Sequence, residues 1–168
     1  MNKKLPIILV IFLWICSCGN NNSVEITSSV ITEPQEKGHQ FAPDEHIFWS
    51  HKFNDNILTF TVELAPTWMT YSQYNSNFIG PLPTLFTFEG SENYELVGGV
   101  DESLAKLKFD EEANEELTYF EGKGIFTQKI KVKTGEKFVV KGSINFMTCN
   151  QNGCEPPADY PFEIEITP

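Results

Sequence analysis

Period-two alternation runs through most of the chain beyond its N-terminal quarter, and it restricts that region to β-structure. From Ile57 to Leu64, Leu58, Phe60, Val62 and Leu64 share one face while Thr59, Thr61 and Glu63 share the other. Successive strand residues point to opposite sides, so this is the pattern of a half-buried strand. Ile125 to Val132 repeats it, with Phe126, Ile130 and Val132 opposite Thr127, Lys129 and Lys131. Phe138 to Phe146 is a further strand, and in the last one Phe162, Ile164 and Ile166 alternate with Glu163, Glu165 and Thr167. Weaker candidates are Ile47–Phe53, Trp68–Tyr71, Leu85–Glu89 and Tyr94–Val97. About seven or eight short strands separated by Pro, Gly and Asn predict an all-β, immunoglobulin-like antiparallel β-sandwich. A competing period occurs only in Asp101–Leu117, through Leu104 and Leu107. Its acidity predicts a long solvated loop with at most one helical turn.

The N terminus reads differently. Lys3 and Lys4 precede an apolar stretch, Leu5 to Ile15, which has the form of an export signal and is too short to span a bilayer as a stable helix. It ends Ile15-Cys16-Ser17-Cys18, which resembles a bacterial lipobox: an aliphatic residue, then a small one, then cysteine. Residues 1–17 are therefore expected to be a lipoprotein signal peptide, with Cys18 acylated after cleavage. An ordinary secretory signal with incidental cysteines is the alternative. Residues 18–44 are expected to be the lipidated cysteine and a flexible tether, because Asn20 to Asp44 is mostly Asn, Ser, Thr, Glu, Gln and Pro. About 25 such residues reach roughly 25–30 Å. Residues 45–168 remain, enough for one domain with a core but not two. The expected location is exported and lipid-anchored, facing the periplasm. Gly19 rather than aspartate follows Cys18, so the enterobacterial inner-membrane retention signal is absent and the choice of membrane stays open.

Acidic residues outnumber basic ones 23 to 12, for a formal net charge of −11. No basic patch is visible, so nucleic-acid binding has no electrostatic footing. The acidity reads as a device for solubility, with steering toward a basic partner as the alternative, and a tethered monomer is the simplest expectation.

The chemistry lies in Cys149-Asn150-Gln151-Asn152-Gly153-Cys154-Glu155-Pro156-Pro157. Cleavage would remove Cys16 and acylation would block Cys18. Cys149 and Cys154 then have only each other as intramolecular partners, in a compartment where disulfides persist. Asn150 to Gly153 has hairpin-loop composition, which puts Cys154 across from Cys149. Pro156 and Pro157 supply no ladder N–H, so regular pairing is expected to lapse beside Cys154. Such a pair can staple, bind metal or pass electrons. As a staple its short loop contributes about 2–3 kcal/mol at most. Two thiolates alone rarely close a zinc site, and His39, His46 and His51 lie far off in sequence, so neither metal nor other cofactor is expected. A short-loop disulfide near a surface turn suits exchange, with a purely structural bond as the alternative. Glu155 is the only charge adjacent to the pair, which predicts a sluggish thiol.

Several segments together resemble the N-terminal periplasmic domain of the thiol-disulfide reductase DsbD, especially its stand-alone relatives in Bacteroidetes-like bacteria. Ile144 to Cys149 followed by Cys154-Glu155-Pro156-Pro157 is similar to that family's strand-Cys-loop-Cys-x-Pro-Pro signature. Trp68 to Gln73, Gly80-Pro81-Leu82-Pro83-Thr84 with Phe86 and Phe88, and Tyr119-Phe120-Glu121-Gly122-Lys123 resemble further segments in the same order, so the resemblance spans about Ile47 to Ile166. It implies a domain that takes electrons from a membrane-embedded thiol reductase and gives them to oxidised periplasmic proteins, thioredoxin-like ones among them. It implies Cys154 as the interacting thiol and Cys149 as the resolving one. Phe120 matches the family's aromatic cap over the disulfide, and Tyr71 an aromatic packed near it. The chain stops at Pro168 without the transmembrane and thioredoxin-like domains of full-length DsbD, so a separate reductase is expected as donor. The competing expectation is a non-catalytic immunoglobulin-like lipoprotein, an adhesion or assembly module with an inert disulfide.

Overall fold

The computed structural model describes residues 38–75, 80–111 and 114–168. The expected signal peptide, the lipidation site Cys18 and most of the expected tether lie outside them. Twelve strands occur among the described residues: β1 (Ile47–Asn54), β2 (Ile57–Leu64), β3 (Met69–Tyr71), β4 (Leu85–Phe88), β5 (Tyr94–Glu102), β6 (Lys106–Asp110), β7 (Glu115–Glu121), β8 (Lys123–Val132), β9 (Phe138–Phe146), β10 (Thr148–Asn150), β11 (Gly153–Cys154) and β12 (Ala158–Ile166). All described pairings are antiparallel.

The alternating residues form the two inner faces of a sandwich. One sheet has the order β1-β2-β8-β5 and the other β12-β9-β4. Leu58, Phe60 and Val62 of β2 and Phe126 of β8 are fully buried, as are Val140 and Ile144 of β9 and Ile166 of β12. Phe60 bridges the sheets, with ring centroids 4.7 Å from Phe162 and 5.4 Å from Phe86. Burying rings of this size supplies most of the driving force for such a core. Near the edge, Trp49 of β1 stacks on Tyr160 of β12, and His51 Nδ1 lies 3.1 Å from Tyr160 Oη.

A third sheet, β11-β10-β3-β7-β6, is built from continuations of sandwich strands. β3 follows β2 in the chain after four residues, β10 follows β9 after Met147, and β7 runs into β8 through Gly122. Gly122 has φ +72°, a conformation open to glycine, and its carbonyl accepts the amide hydrogen of Leu64. Strands anchored in the main core therefore deliver the third sheet and its side chains.

One expectation needs correction here. Asp101–Leu117 is not a loop: β5 runs on to Glu102, and β6 and β7 pair in register, Leu107 opposite Thr118 and Phe109 opposite Glu116. Asp110, Glu111, Glu115 and Glu116 fall at the turn end of the β6–β7 hairpin, while the Lys106–Asp110 stretch itself alternates with period two. The last residues of the expected tether, from His39, are packed as well. His39 stacks on Phe48 at 3.8 Å and its amide donates to Glu63 Oε2 at 2.8 Å, so the chain is packed from about that point.

Candidate functional site

The third sheet places the cysteines. Cys149 of β10 and Cys154 of β11 are cross-strand partners in a hairpin and form a disulfide, with Cα atoms 4.0 Å apart. The turn is set locally. Asn150 Oδ1 accepts the Asn152 amide at 2.8 Å, an Asx turn, and Gly153 takes φ +139°, which disfavours a larger residue. The Glu155 amide then donates to the Thr148 carbonyl at 2.9 Å and closes the hairpin.

The two sulfur-bearing residues differ in access. Cys149 is 3% exposed, packed with Tyr71 and Leu117 in a small second core that Met69, Tyr119 and Met147 flank. Cys154 is exposed on the edge strand. Beside the pair runs an open groove of about 460 Å³, lined by Met69, Tyr71, Lys108, Asp110, Met147 and the Gly80-Pro81 segment.

Lys108 is the cation of this groove. Its Nζ lies 5.7 Å from the ring centre of Tyr71 and 5.4 Å from that of Tyr119, and it donates to Met69 Sδ at 3.3 Å. Ammonium over an aromatic face is an attractive arrangement. Tyr71 is held as a neutral phenol. Burial first, then the charge of Asp110 and the neighbouring Tyr119, push its pKa up from 10.0 to about 12.

The reverse face of the hairpin is clasped by His46. Its Nε2 is 3.3 Å from Thr148 Oγ1 and 3.1 Å from Glu155 Oε2, and its ring stacks on Trp68 at 3.9 Å. Thr148 and Glu155 follow or precede the cysteines by one residue, so they project from the opposite side of the sheet.

The structure thus brings Cys149, Cys154 and Tyr71 together but separates Phe120 from them. Phe120 is 2% exposed within the sandwich core, 5.1 Å from Phe126, and it does not line the groove. The pleat is the reason. Tyr71 pairs with Tyr119, so the next residue on β7 faces the other way, into the space over Gly124. In this disulfide form Phe120 therefore faces the sandwich core and not the cysteine pair. Sequence reading missed Lys108, Asp110 and His46. The alternation of Lys106, Lys108 and Asp110 with Leu107 and Phe109 marks the first two, whereas nothing local marks His46, which lies 102 residues from Thr148.

No protein-family model matches the chain, and no curated protein matches it by sequence. Solved structures do match its fold. The reduced-form crystal structure of the DsbD N-terminal domain from Neisseria meningitidis aligns with a TM-score of 0.56 at 16% identity, covering 76% of this chain and 91% of that one. The complex between the DsbD and PilB N-terminal domains of the same organism aligns with a TM-score of 0.55 at 14% identity, covering 75% of this chain and 88% of its match. The fold is that of the immunoglobulin-like DsbD N-terminal domains.

Proposed function

We propose that this chain is an exported, lipid-anchored thiol-disulfide relay of protein-disulfide reductase type. It takes electrons from a membrane-embedded thiol reductase and gives them to oxidised periplasmic proteins, including thioredoxin-like ones. The observation that carries this reading is the asymmetry of the disulfide, with Cys154 exposed and Cys149 buried beneath it. Exchange requires in-line access to one sulfur and protection of the other.

In the reduced form the Cys154 thiolate attacks a sulfur of the partner's disulfide, expelling the partner's second cysteine as thiolate. Cys149, as thiolate, then attacks Cys154 Sγ. This releases the partner as a dithiol and restores the Cys149–Cys154 bond. Two electrons have moved to the partner. Reloading runs in reverse, as a donor thiolate attacks Cys154 and Cys149 leaves. Tyr71, neutral and packed on Cys149, keeps water from the buried sulfur without competing as a nucleophile.

The fold supports this reading, since a neighbour with the same architecture was solved in complex with another protein domain. The lipobox at Cys18 supports the anchor. The test is trapping. A Cys149→Ala variant is expected to accumulate Cys154 mixed disulfides with periplasmic thioredoxin-like proteins. An empty trap, together with a reduction potential below about −300 mV, would favour an inert structural bond in an adhesion or assembly module.

A further inference from the structure

Cross-strand register places three sulfur-bearing residues in a row. Cys154 of β11 pairs with Cys149 of β10, and Cys149 pairs with Met69 of β3. Directly opposed residues on adjacent antiparallel strands put their Cβ atoms about 4.5–5.5 Å apart on the same face. Met147, two residues before Cys149, lines the same groove. Four sulfur-bearing residues therefore line one groove, and Met69 Sδ accepts from Lys108 Nζ, another groove residue, at 3.3 Å. A thioether is a weak hydrogen-bond acceptor and a good soft-metal ligand.

The oxidised form cannot use this set, because two of the sulfurs are bonded to each other. The dithiol form can. Among the described residues no group of three or more His, Cys, Asp or Glu side chains is gathered for a metal ion, so hard and borderline cations lack a full ligand set. Zinc takes four N, O or S ligands of the imidazole, carboxylate or thiolate kind. Two thiolates with two thioethers instead match the soft-ligand preference of copper(I).

We infer that the reduced protein holds one copper(I) ion between Cys149 and Cys154, completed by Met69 and Met147. Binding releases two thiol protons and transfers no electrons, and the bis-thiolate copper(I) unit carries one net negative charge. Lys108 faces the same groove and attracts that charge, while Asp110, also in the lining, opposes it. Disulfide and metal are mutually exclusive states of the same sulfurs. The site needs only the dithiol form and does not rest on the relay reading.

The test titrates copper(I), delivered as its bicinchoninate complex, into the full chain reduced with a phosphine and kept free of oxygen. A Cys149→Ser/Cys154→Ser double variant accounts for metal taken by Cys16 and Cys18. Wild type is expected to withdraw one more copper(I) per chain than this variant, and the disulfide form none beyond it. Met69→Leu/Met147→Leu, close in volume to the original, is expected to weaken binding about tenfold or more. Should that variant fail to fold, X-ray absorption of the copper-loaded, selenomethionine-labelled wild type gives the same answer through copper–selenium scattering. Equal uptake by wild type and the cysteine variant, unchanged affinity without the methionines, or absence of copper–selenium scattering would overturn the site. A chain that traps thioredoxin-like proteins but binds no copper(I) overturns this inference alone. One that binds copper(I) but traps nothing overturns the relay alone.

Discussion

A Cβ built on Gly142 would lie 2.1 Å from the Thr87 carbonyl oxygen and 2.5 Å from Phe162 Cζ. Gly142 pairs with Phe88 on one side and Phe162 on the other, so the two rings, 5.5 Å apart, close over a position that only hydrogen fits. Gly142→Ala is expected to cost about 1–3 kcal/mol or more, seen as a lower urea midpoint with unchanged slope. Tyr71 supplies a second residue-scale test. Its folded pKa lies above its unfolded value, so the stability it contributes is complete below pH 10 and is lost as pH rises toward about 12. Burial raises Tyr94 and Tyr160 as well, so phenolate absorbance should show a late phase that Tyr71→Phe reduces by one tyrosine. His51 has the opposite sign: burial lowers its pKa, so its contribution is present above the ordinary value of 6.5 and fades as pH falls. The cysteine pair was legible in the sequence because elimination left those two thiols only each other and the residues between them are turn formers. The place of Phe120 was not. Alternation says that a residue is buried but not which of two cores receives it, and one step along β7 separates Tyr119, beside the groove, from Phe120, inside the sandwich.

Strands with an apolar face on every second residue were readable to within a residue or two, as β2, β8 and β9 demonstrate. β6 was not, since its apolar residues Leu107 and Phe109 are themselves 59% and 60% exposed and the groove side of the strand carries lysines and an aspartate. Charge on an edge strand is a common way to blunt it, and it disguises the strand as a loop. The β10–β11 hairpin is held from behind by His46, an interaction no local pattern announces. His46→Ala is expected to speed amide exchange at Glu155 several-fold, because the Thr148–Glu155 hydrogen bond loses its clasp. Global stability should change by less than about 1 kcal/mol, as for other solvent-accessible pairs. Equal protection of Glu155 in the variant would show that the turn alone orders the hairpin.

The disulfide closes a loop across only five positions and sits outside the main core. Reducing it is expected to lower unfolding stability by about 2–3 kcal/mol at most and to leave the sandwich folded, which chemical denaturation with and without a dithiol would measure. Unfolding on reduction would mark the bond as structural instead. Folding and sulfur chemistry are thus assigned to different sheets, joined by continuous strands. One detail of that arrangement reaches beyond the single molecule. Cys154 lies on a margin strand two residues long, and the prolines just past it offer no amide hydrogen. A strand from another copy would find too short a ladder there to grow along, so the rim that bares a sulfur is poorly suited to seed self-stacking into aggregates.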